Sequence, residues 1–238
     1  MSVFNTVEMP CPGCATGVKF ELVHSVNAVR RPDLRSAILD RSFQSKTCPT
    51  CGTSFRVEPT FTYLDTTRKQ FLAVWPSTDV GDWKAVEARS QESYDSAFGP
   101  GGDGAEFAVG QQARCVFGWL GLNEKLIALE HGIDDVELEM AKLATLQAMG
   151  EMKLGKAKEF RLVGATDDEL IVGWLLTRSE EIDDEYSVPR QILKDIATAP
   201  DTWAPLRADV SGGMFVDYRR VLLGDPPKAP KAPKTAKA

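Results

Sequence analysis

The chain contains little histidine and no long apolar run. Its 238 residues include two histidines, His24 and His131, and no Ser/His/Asp or Cys/His constellation emerges around either. No stretch of about 18 or more apolar residues could span a bilayer. The first ten residues, MSVFNTVEMP, lack the basic start and apolar stretch of a signal peptide. We therefore expect no membrane association and a cytoplasmic location.

Cysteine is also scarce, and its spacing excludes a disulfide framework. Of five cysteines, Cys11 and Cys14 form one C-x2-C pair, Cys48 and Cys51 form another, and Cys115 stands alone. An oxidising framework normally uses an even number at wider spacings, whereas two close pairs in a reducing compartment are typical of a metal site. Cys115 lies in an apolar stretch and is interpreted as a small buried side chain.

Charge is distributed unevenly along the chain. Residues 1–80 carry a net charge of +2, residues 81–227 carry −12, and residues 228–238 carry +4. An acidic body repels a phosphate backbone, so nucleic acid is not favoured as a partner. A local contact with nucleic acid stays open through four arginines, for which a solvated helix face is the preferred interpretation: Arg30, Arg31, Arg35 and Arg41.

The composition predicts a globular α+β protein. Hydrophobic residues make up 43% of the chain and charged residues 26%, enough for a sizeable core. We predict an N-terminal zinc-ribbon-like antiparallel β module over residues 1–80, with a short inserted helix. A mixed helical and β-hairpin body follows over 81–227. Residues 228–238, rich in proline, alanine and lysine, lack apolar side chains and are predicted to be a disordered tail.

The pattern around the cysteines predicts four strands and a helix. FNTVEM and VKFELVHSVNAV flank the first pair with β-branched and apolar residues, which indicates two paired strands. RPDLRSAILDRS has helical spacing, with Pro32 suited to the first turn. FRVEPTFTYLDTTRKQFLAVW alternates again and predicts a β-hairpin.

Each C-x2-C pair predicts a tight turn, or knuckle, whose backbone N–H groups point at the thiolates. Pro12 and Pro49 favour the turn dihedral after each leading cysteine. Gly52 can take a positive φ on leaving its turn, whereas Ala15 at the matching place does so at a cost. Four cysteines would fill a tetrahedral site and leave no position for water or substrate, as in structural zinc sites.

The four-thiolate set accepts either zinc or iron, and CPTCG resembles a rubredoxin knuckle. The long insertion between the knuckles and the lack of an evident redox partner site favour zinc. Structural zinc contributes on the order of 10 kcal/mol in small domains, so Cys11→Ser or Cys48→Ser is expected to unfold residues 1–80.

The body offers weaker candidates for chemistry. GPGGDG at 99–104 lacks the following lysine and serine or threonine of a phosphate loop and is interpreted as a linker. Four acids begin a predicted helix after Gly132, where Asp134 or Asp135 can cap it. A catalytic pair among these acids stays open, although nothing basic or nucleophilic is evidently arranged beside them: Asp134, Asp135, Glu137 and Glu139.

Several stretches together resemble the CpXC domain, a bacterial family with paired Cys-Pro-x-Cys knuckles. They are PCPGC, SVNAVRRPDLRSAILD, TCPTCGTSFRVEPTFTYLD, RCVFGWLGLNEKLIALEHGIDDVELEMAKL and FVDYRRVLL. The resemblance implies a zinc-ribbon-like start, a bacterial origin and no particular reaction. It places the knuckle cysteines on Cys11, Cys14, Cys48 and Cys51.

Three functions stay open at this point. We favour a non-enzymatic, zinc-stabilised scaffold with a protein partner. An enzyme or regulatory subunit with an acidic site in 81–227 comes second, and a nucleic-acid-binding zinc ribbon third. A deep pocket of acids beside Lys125 or Arg114 would favour the enzyme, and an apolar patch near Trp75 or Trp119 would favour interaction. The sequence gives no oligomeric state.

Overall fold

The N-terminal elements follow the predicted order. The computed structural model describes residues 2–151, 155 and 157–224. Its first elements are β1 (Val3–Pro10), β2 (Gly17–Asn27), α1 (Pro32–Leu39), β3 (Ser45–Thr47), β4 (Ser54–Arg56), β5 (Phe61–Asp65) and β6 (Gln70–Trp75). The strand pair around the first knuckle, the inserted helix and the later hairpin are confirmed.

The described part of the body contains six more helices and four more strands. They are α2 (Trp83–Phe98), β7 (Gln112–Phe117), α3 (Gly118–Glu130), α4 (Asp135–Met149), β8 (Lys158–Ala165), β9 (Glu169–Leu176), β10 (Ile182–Pro189), α5 (Gln191–Thr198), α6 (Pro200–Ser211) and α7 (Tyr218–Leu223). The α+β fold class is confirmed. No helix in the described ranges is long and apolar enough to cross a membrane. The predicted tail, 228–238, lies outside those ranges.

Five strands form one mixed sheet in the order β1-β2-β5-β6-β7. The pairs β1–β2 and β5–β6 are antiparallel, while β2–β5 and β6–β7 are parallel. Parallel neighbours need a crossover connection, which α1 with the β3–β4 hairpin supplies in one case and α2 in the other. The sheet therefore includes β7 from beyond residue 80, and the division into 1–80 and 81–227 stays a prediction.

The inner strand β6, between β5 and β7, is buried on both faces. Leu72 and Val74 pack into a cluster with side chains of α1 and α3. Phe71 and Ala73 face the opposite side and pack with Trp83 of α2. A strand covered on both faces gives a continuous apolar run, and the stretch FLAVW has that pattern.

The second sheet is antiparallel, with the order β10-β9-β8. Phe160 of β8 and Val172 of β9 share a core cluster with Leu143 of α4 and Ile196 of α5. The predicted hairpin in this region corresponds to β8 and β9. The sheet and its helices together bury the apolar face of α4.

The stretch EEIDDEYSVPRQILKDIA predicts an acidic loop that leads into a helix with Pro189 in its first turn, and both predictions are wrong in detail. The acidic stretch before Pro189 is not a loop, because Ile182–Pro189 is the edge strand β10, paired with β9. Tyr186 and Val188 pack against the core, while the acids stay exposed. An edge strand with one solvated face tolerates such charge. Pro189 ends this strand, and α5 begins after it at Gln191.

The apolar stretch around Cys115 is a strand that the sequence analysis missed. Gln112–Phe117 forms β7, which pairs with β6 along its whole length. Gly118 then turns the chain into α3 with a φ of 70°. A short apolar run that leads directly into a helix has no periodicity that separates strand from helix.

Candidate metal centre

The first knuckle is a turn closed by backbone hydrogen bonds between the end of β1 and the start of β2. The Cys11 N–H donates to the Thr16 carbonyl at 2.8 Å, and the Ala15 N–H donates to the Cys11 carbonyl at 2.8 Å. The Gly13 N–H points at Cys11 Sγ, 3.3 Å away. This is the thiolate-directed N–H that the turn predicts.

The second knuckle repeats the same turn between β3 and β4. The Cys48 N–H donates to the Thr53 carbonyl at 2.9 Å, and the Gly52 N–H donates to the Cys48 carbonyl at 3.0 Å. Gly52 has a φ of 74° and Ala15, at the matching place, a φ of 59°. Both knuckles therefore leave their turn in the left-handed region, although only one has glycine there.

The two knuckles bring four sulfur atoms together. Cys11 Sγ lies 3.6 Å from Cys51 Sγ, and Cys14 Sγ lies 3.7 Å from Cys48 Sγ. All four sulfur atoms lie within 4.8 Å of one another. Tetrahedral zinc with Zn–S bonds of about 2.3 Å separates its sulfurs by about 3.8 Å. The four cysteines can therefore hold one metal ion without a large rearrangement.

The sulfurs differ in their surroundings. Cys11 and Cys48 are buried in a small cluster with Val18, Phe20 and Val57, whereas Cys14 and Cys51 are exposed. Burial and solvent exposure thus divide the site into a side that packs on the sheet and a side open to solvent. A metal ion can enter from the open side.

The thiol pKa values follow these surroundings. Burial raises the pKa of Cys11 to about 11. Hydrogen bonds with the hydroxyl and backbone of Thr53 lower the pKa of Cys51 to about 6. A backbone hydrogen bond from Cys51 lowers the pKa of Cys48. Thiolates bind metal, so Cys51 is ready to ligate at neutral pH and Cys11 must lose its proton when the ion binds.

Two threonines that the sequence analysis overlooked support the site. Thr16 Oγ1 lies 3.3 Å from Cys14 Sγ, and Thr53 Oγ1 lies 3.2 Å from Cys51 Sγ, both within hydrogen-bond distance. Each threonine follows its cysteine by two residues. The similarity between CPGCAT and CPTCGT could therefore have indicated both threonines from the sequence. Outer hydrogen bonds of this kind orient metal ligands.

The positive φ at Gly52 gives a test of the turn geometry. A Cβ at this position would meet no heavy atom within 4 Å, so Gly52→Ala is expected to destabilise by backbone strain alone, about 1 kcal/mol. The reciprocal Ala15→Gly is expected to change stability by less than about 0.5 kcal/mol, since relieved strain is offset by greater freedom in the unfolded chain. Urea unfolding in excess zinc measures both, and a neutral Gly52→Ala would contradict the assignment of strain.

The two histidines and Cys115 lie outside the sulfur cluster. His24 Nε2 lies 3.0 Å from Asn5 Nδ2 on the neighbouring strand. His131 follows the last residue of α3. Cys115 is buried in β7, where burial raises its thiol pKa to about 12. That thiol is therefore protonated at neutral pH.

The predicted arginine patch is partly engaged in ion pairs. Arg31, just before α1, pairs with Asp33 in its first turn, and Arg35 reaches Glu130 of α3 at 2.9 Å. These are two of the four arginines through which a local contact with nucleic acid stayed open. Their pairing leaves less free positive charge on this surface for a phosphate backbone.

The acids among which a catalytic pair stayed open have other roles. Asp134 caps α4, because its Oδ1 accepts hydrogen bonds from the N–H groups of Val136 and Glu137, each at 3.0 Å. Asp135 pairs with Arg114 at 2.7 Å and with Lys125 at 3.0 Å. Basic neighbours that the sequence did not make evident are therefore present, and they neutralise the carboxylate.

Asp135 belongs to a chain of ion pairs that we call the buried ion network. Its members are Arg114, Glu124, Lys125, Asp135, Glu139, Lys142, Glu159, Arg161, Asp217 and Arg219. All but Arg114 are buried. The network joins β7, α3, α4 and β8 to the start of α7, and its five carboxylates are balanced by five cations.

Glu124 shows how the buried ion network maintains its charges. Burial opposes its ionisation, but the charges of Lys142 and Arg161 outweigh that effect and lower its pKa to about 2. The neighbouring Arg161 lies 2.6 Å from Glu124 and 2.8 Å from Asp217. These carboxylates are occupied by cations inside the protein, an arrangement that connects elements and exposes no acid to a substrate.

Acid is expected to destabilise the folded chain through this network. The pKa of Glu124 is lowered from an ordinary 4.5 to about 2 in the folded state. The stabilisation is thus fully present above about pH 4.5 and lost as the pH falls towards 2, to an extent of about 3 kcal/mol. Urea unfolding between pH 6 and pH 3 measures the loss. Glu124→Gln, the matched control, should show a shallower acid dependence, and an equal slope would contradict this role.

A family model covers most of the region described so far. Residues 9–142 match the model of the CpXC family, described as CpXC protein. This span begins just before the first knuckle, includes the five-stranded sheet except residues 3–8 of β1, and ends within α4. No curated protein and no solved structure shows significant similarity to the chain. Because the match extends over more than half of its length, the chain belongs to the CpXC family.

Proposed function

We propose that this protein is a zinc-stabilised, non-enzymatic interaction protein, in which one zinc ion closes the two knuckles and the folded surface binds a protein partner. The cluster of four sulfurs within 4.8 Å carries the proposal. Four protein ligands fill a tetrahedral zinc ion, so no coordination position remains for a substrate. A cytoplasmic location belongs to the proposal, since paired C-x2-C motifs are typical of reducing compartments.

Zinc is preferred over iron as the ion. A four-thiolate site accepts both metals. The insertion between the knuckles holds α1, which packs into the sheet core through Leu34 and Ile38, and no redox partner site is evident beside the sulfurs. The two knuckles are thus joined through an element of the core, which fits an ion that holds them together and does not change its oxidation state.

The surface near Trp119 supports an interaction role. Trp119 lines a cleft of about 660 Å³ beside the knuckles, and the Arg56 guanidinium stacks 4.0 Å from the centre of its ring. Trp75 lines a second, largely apolar groove of about 290 Å³ together with Phe61 and Arg89. The Trp119 ring itself is buried, so a partner would contact Arg56, the half-buried Trp75 and the exposed Arg89. Aromatic and arginine side chains are enriched at protein interfaces.

The two alternatives rest on less. An acidic active site in 81–227 would need free carboxylates beside Lys125 or Arg114, but Asp135 and Glu139 there are buried in ion pairs. A nucleic-acid-binding ribbon would rely on the arginines around α1, of which Arg35 is tied to Glu130. A gel shift at physiological ionic strength would revive that third function.

Cobalt substitution tests whether the metal site is closed. With Co²⁺ in place of zinc, the visible absorption bands report the ligand set. We expect them to stay unchanged in excess imidazole, because four thiolates leave no open position. Cys14→Ser, which alters an exposed ligand, is the control in which imidazole should shift the bands. A shift in the unmodified protein would contradict a structural site and favour a catalytic one.

A further inference from the structure

The cleft beside the knuckles has an unusual wall. All six residues of the segment 53–58 line it in succession. One face of a strand would contribute only alternate residues, so the cleft runs along the backbone edge of this segment. The first knuckle, Trp119 and the turn between β9 and β10 complete the cleft. This space of about 660 Å³ has the size of a ligand site.

Hydrogen bonding shows which side of β4 faces the cleft. The Cys48 N–H donates to the Thr53 carbonyl, and the Val57 N–H donates to the Gln44 carbonyl. Both pairs continue the register of β3 with β4, with Phe55 midway between them. Hydrogen-bonded pairs alternate along an antiparallel ladder. The Thr53 carbonyl, the backbone groups of Phe55 and the Val57 N–H therefore point at β3, while the Val57 carbonyl accepts from Trp119 Nε1 at 3.1 Å.

It follows that Ser54 and Arg56 direct their N–H and carbonyl groups away from β3. Among the strands of the described ranges, β4 pairs with β3 alone. The outer edge of β4 thus presents two donors and two acceptors in strand geometry. An edge of this kind is a template for another strand.

We propose that the outer edge of β4 is the docking strand for an extended, acidic segment of a partner protein. The segment adds a third strand to the β3–β4 pair, with main-chain hydrogen bonds at Ser54 and Arg56. The inference rests on the proposed interaction function and names the surface and the chemistry of the partner.

Of the four charged side chains in the cleft, two arginines and two glutamates, Arg178 is the one available to an acidic segment. Arg56 is neutralised by Glu180 through two contacts of 2.7 Å. Glu58 accepts hydrogen bonds from the backbone and hydroxyl of Ser77. Arg178 is exposed on the opposite wall, and no described carboxylate pairs with it. A carboxylate on the docked segment would complete that pair.

The chain's own last residues do not have this chemistry. Residues 225–238, DPPKAPKAPKTAKA, carry four lysines and four prolines. Proline has no N–H to donate to a strand edge, and lysine would face Arg178 with like charge. A separate protein is therefore the occupant to which the charges point.

A peptide selection tests the proposal on the full zinc-loaded chain. Phage-displayed random nine-residue linear peptides are panned against it, and enriched peptides are synthesised and titrated by fluorescence anisotropy. We expect peptides with acidic residues. Ser54→Pro, which removes an outward donor, should weaken them about tenfold, as expected for one lost hydrogen bond. Ser54→Ala keeps the N–H and should change affinity less than about twofold.

Two further measurements keep the outcome independent of how Ser54→Pro folds. Arg178→Glu should reduce binding of acidic peptides about tenfold and enrich basic peptides in a repeated selection. In the unmodified chain, peptide binding should slow hydrogen exchange at the amides of Ser54 and Arg56. Slowed exchange elsewhere, with these two amides unchanged, would overturn the proposal.

Other results would also overturn it, and they leave the proposed function separately testable. One such result is a selection that enriches no peptides. Another is a concentration-dependent dimer that Ser54→Pro dissociates, because a second copy of the chain would then be the occupant. The tagged full chain can also be used to capture a native partner. If that partner binds Ser54→Pro as strongly as the unmodified chain, docking at the β4 edge is contradicted while the interaction function stands.

Discussion

Cys48→Ser is expected to release the metal and to unfold the two knuckles together with β3 and β4. Cys48 is 1% exposed and shares its cluster with only four other fully buried apolar residues. Structural zinc contributes on the order of 10 kcal/mol, more than so small a cluster can replace. The region around the site should therefore depend on the metal for its structure.

The structure narrows the expected loss from the whole of residues 1–80 to the part around the metal. α1, β5 and β6 pack into two larger clusters that include α2 and α3, and these do not contain the cysteine ligands. Hydrogen exchange followed by mass spectrometry should show lost protection in the stretches 11–20 and 44–57, with protection kept in β5 and β6.

Cys115→Ala is the matched control for this prediction. Cys115 is also 1% exposed but lies in the cluster behind β6. Its loss should cost about 1 to 3 kcal/mol as a small cavity, with the zinc content unchanged. Native protection of 11–20 and 44–57 in metal-free Cys48→Ser would show that the fold does not need the ion.

Arg161→Met is expected to lower the free energy of unfolding by about 3–5 kcal/mol, as found when one partner of a buried ion pair is removed. Arg161 is 1% exposed and contacts the carboxylates of Glu124, Glu159 and Asp217 at 2.5 to 2.8 Å. Methionine fills part of the volume but leaves these three acids without their shared cation. Urea unfolding at neutral pH measures the loss.

An ion pair on the surface, with one partner on the same strand as Arg161, provides the comparison. Lys158 of β8 pairs with Asp183 of β10, and both side chains are more than a third exposed. Exposed ion pairs contribute about 0 to 1 kcal/mol, so Lys158→Met should have little effect. An Arg161→Met variant as stable as Lys158→Met would mean that the buried ion network does not connect β8 to α3 and α7.

The sequence predicts the cysteine cluster because its signal is local. Two C-x2-C pairs at short spacing identify the ligands, and the strands beside them have clear alternation. Even the strained position was visible, since Ala15 stands where Gly52 stands in the second knuckle. Elements with a local pattern, such as α1 and the β5–β6 hairpin, were predicted for the same reason.

The buried ion network was beyond sequence reasoning because its partners are distant in the chain. Glu124 and Arg161 are 37 residues apart, and Arg161 and Asp217 are 56 apart. Charged residues are usually exposed, so each alone indicates a solvated helix or strand face. Only the packing of α3, α4, β8 and α7 brings them together. Strand β10 was missed for a local reason. Its acids obscure the alternation of its two core-facing side chains, Tyr186 and Val188.

Metal analysis of the purified full chain tests the central claim most directly. If Cys11, Cys14, Cys48 and Cys51 hold a structural zinc ion, elemental analysis should find about one zinc per chain and no iron. Less than about 0.2 zinc per chain in the absence of iron would contradict the site. Stoichiometric iron would contradict the choice of metal and point to electron transfer.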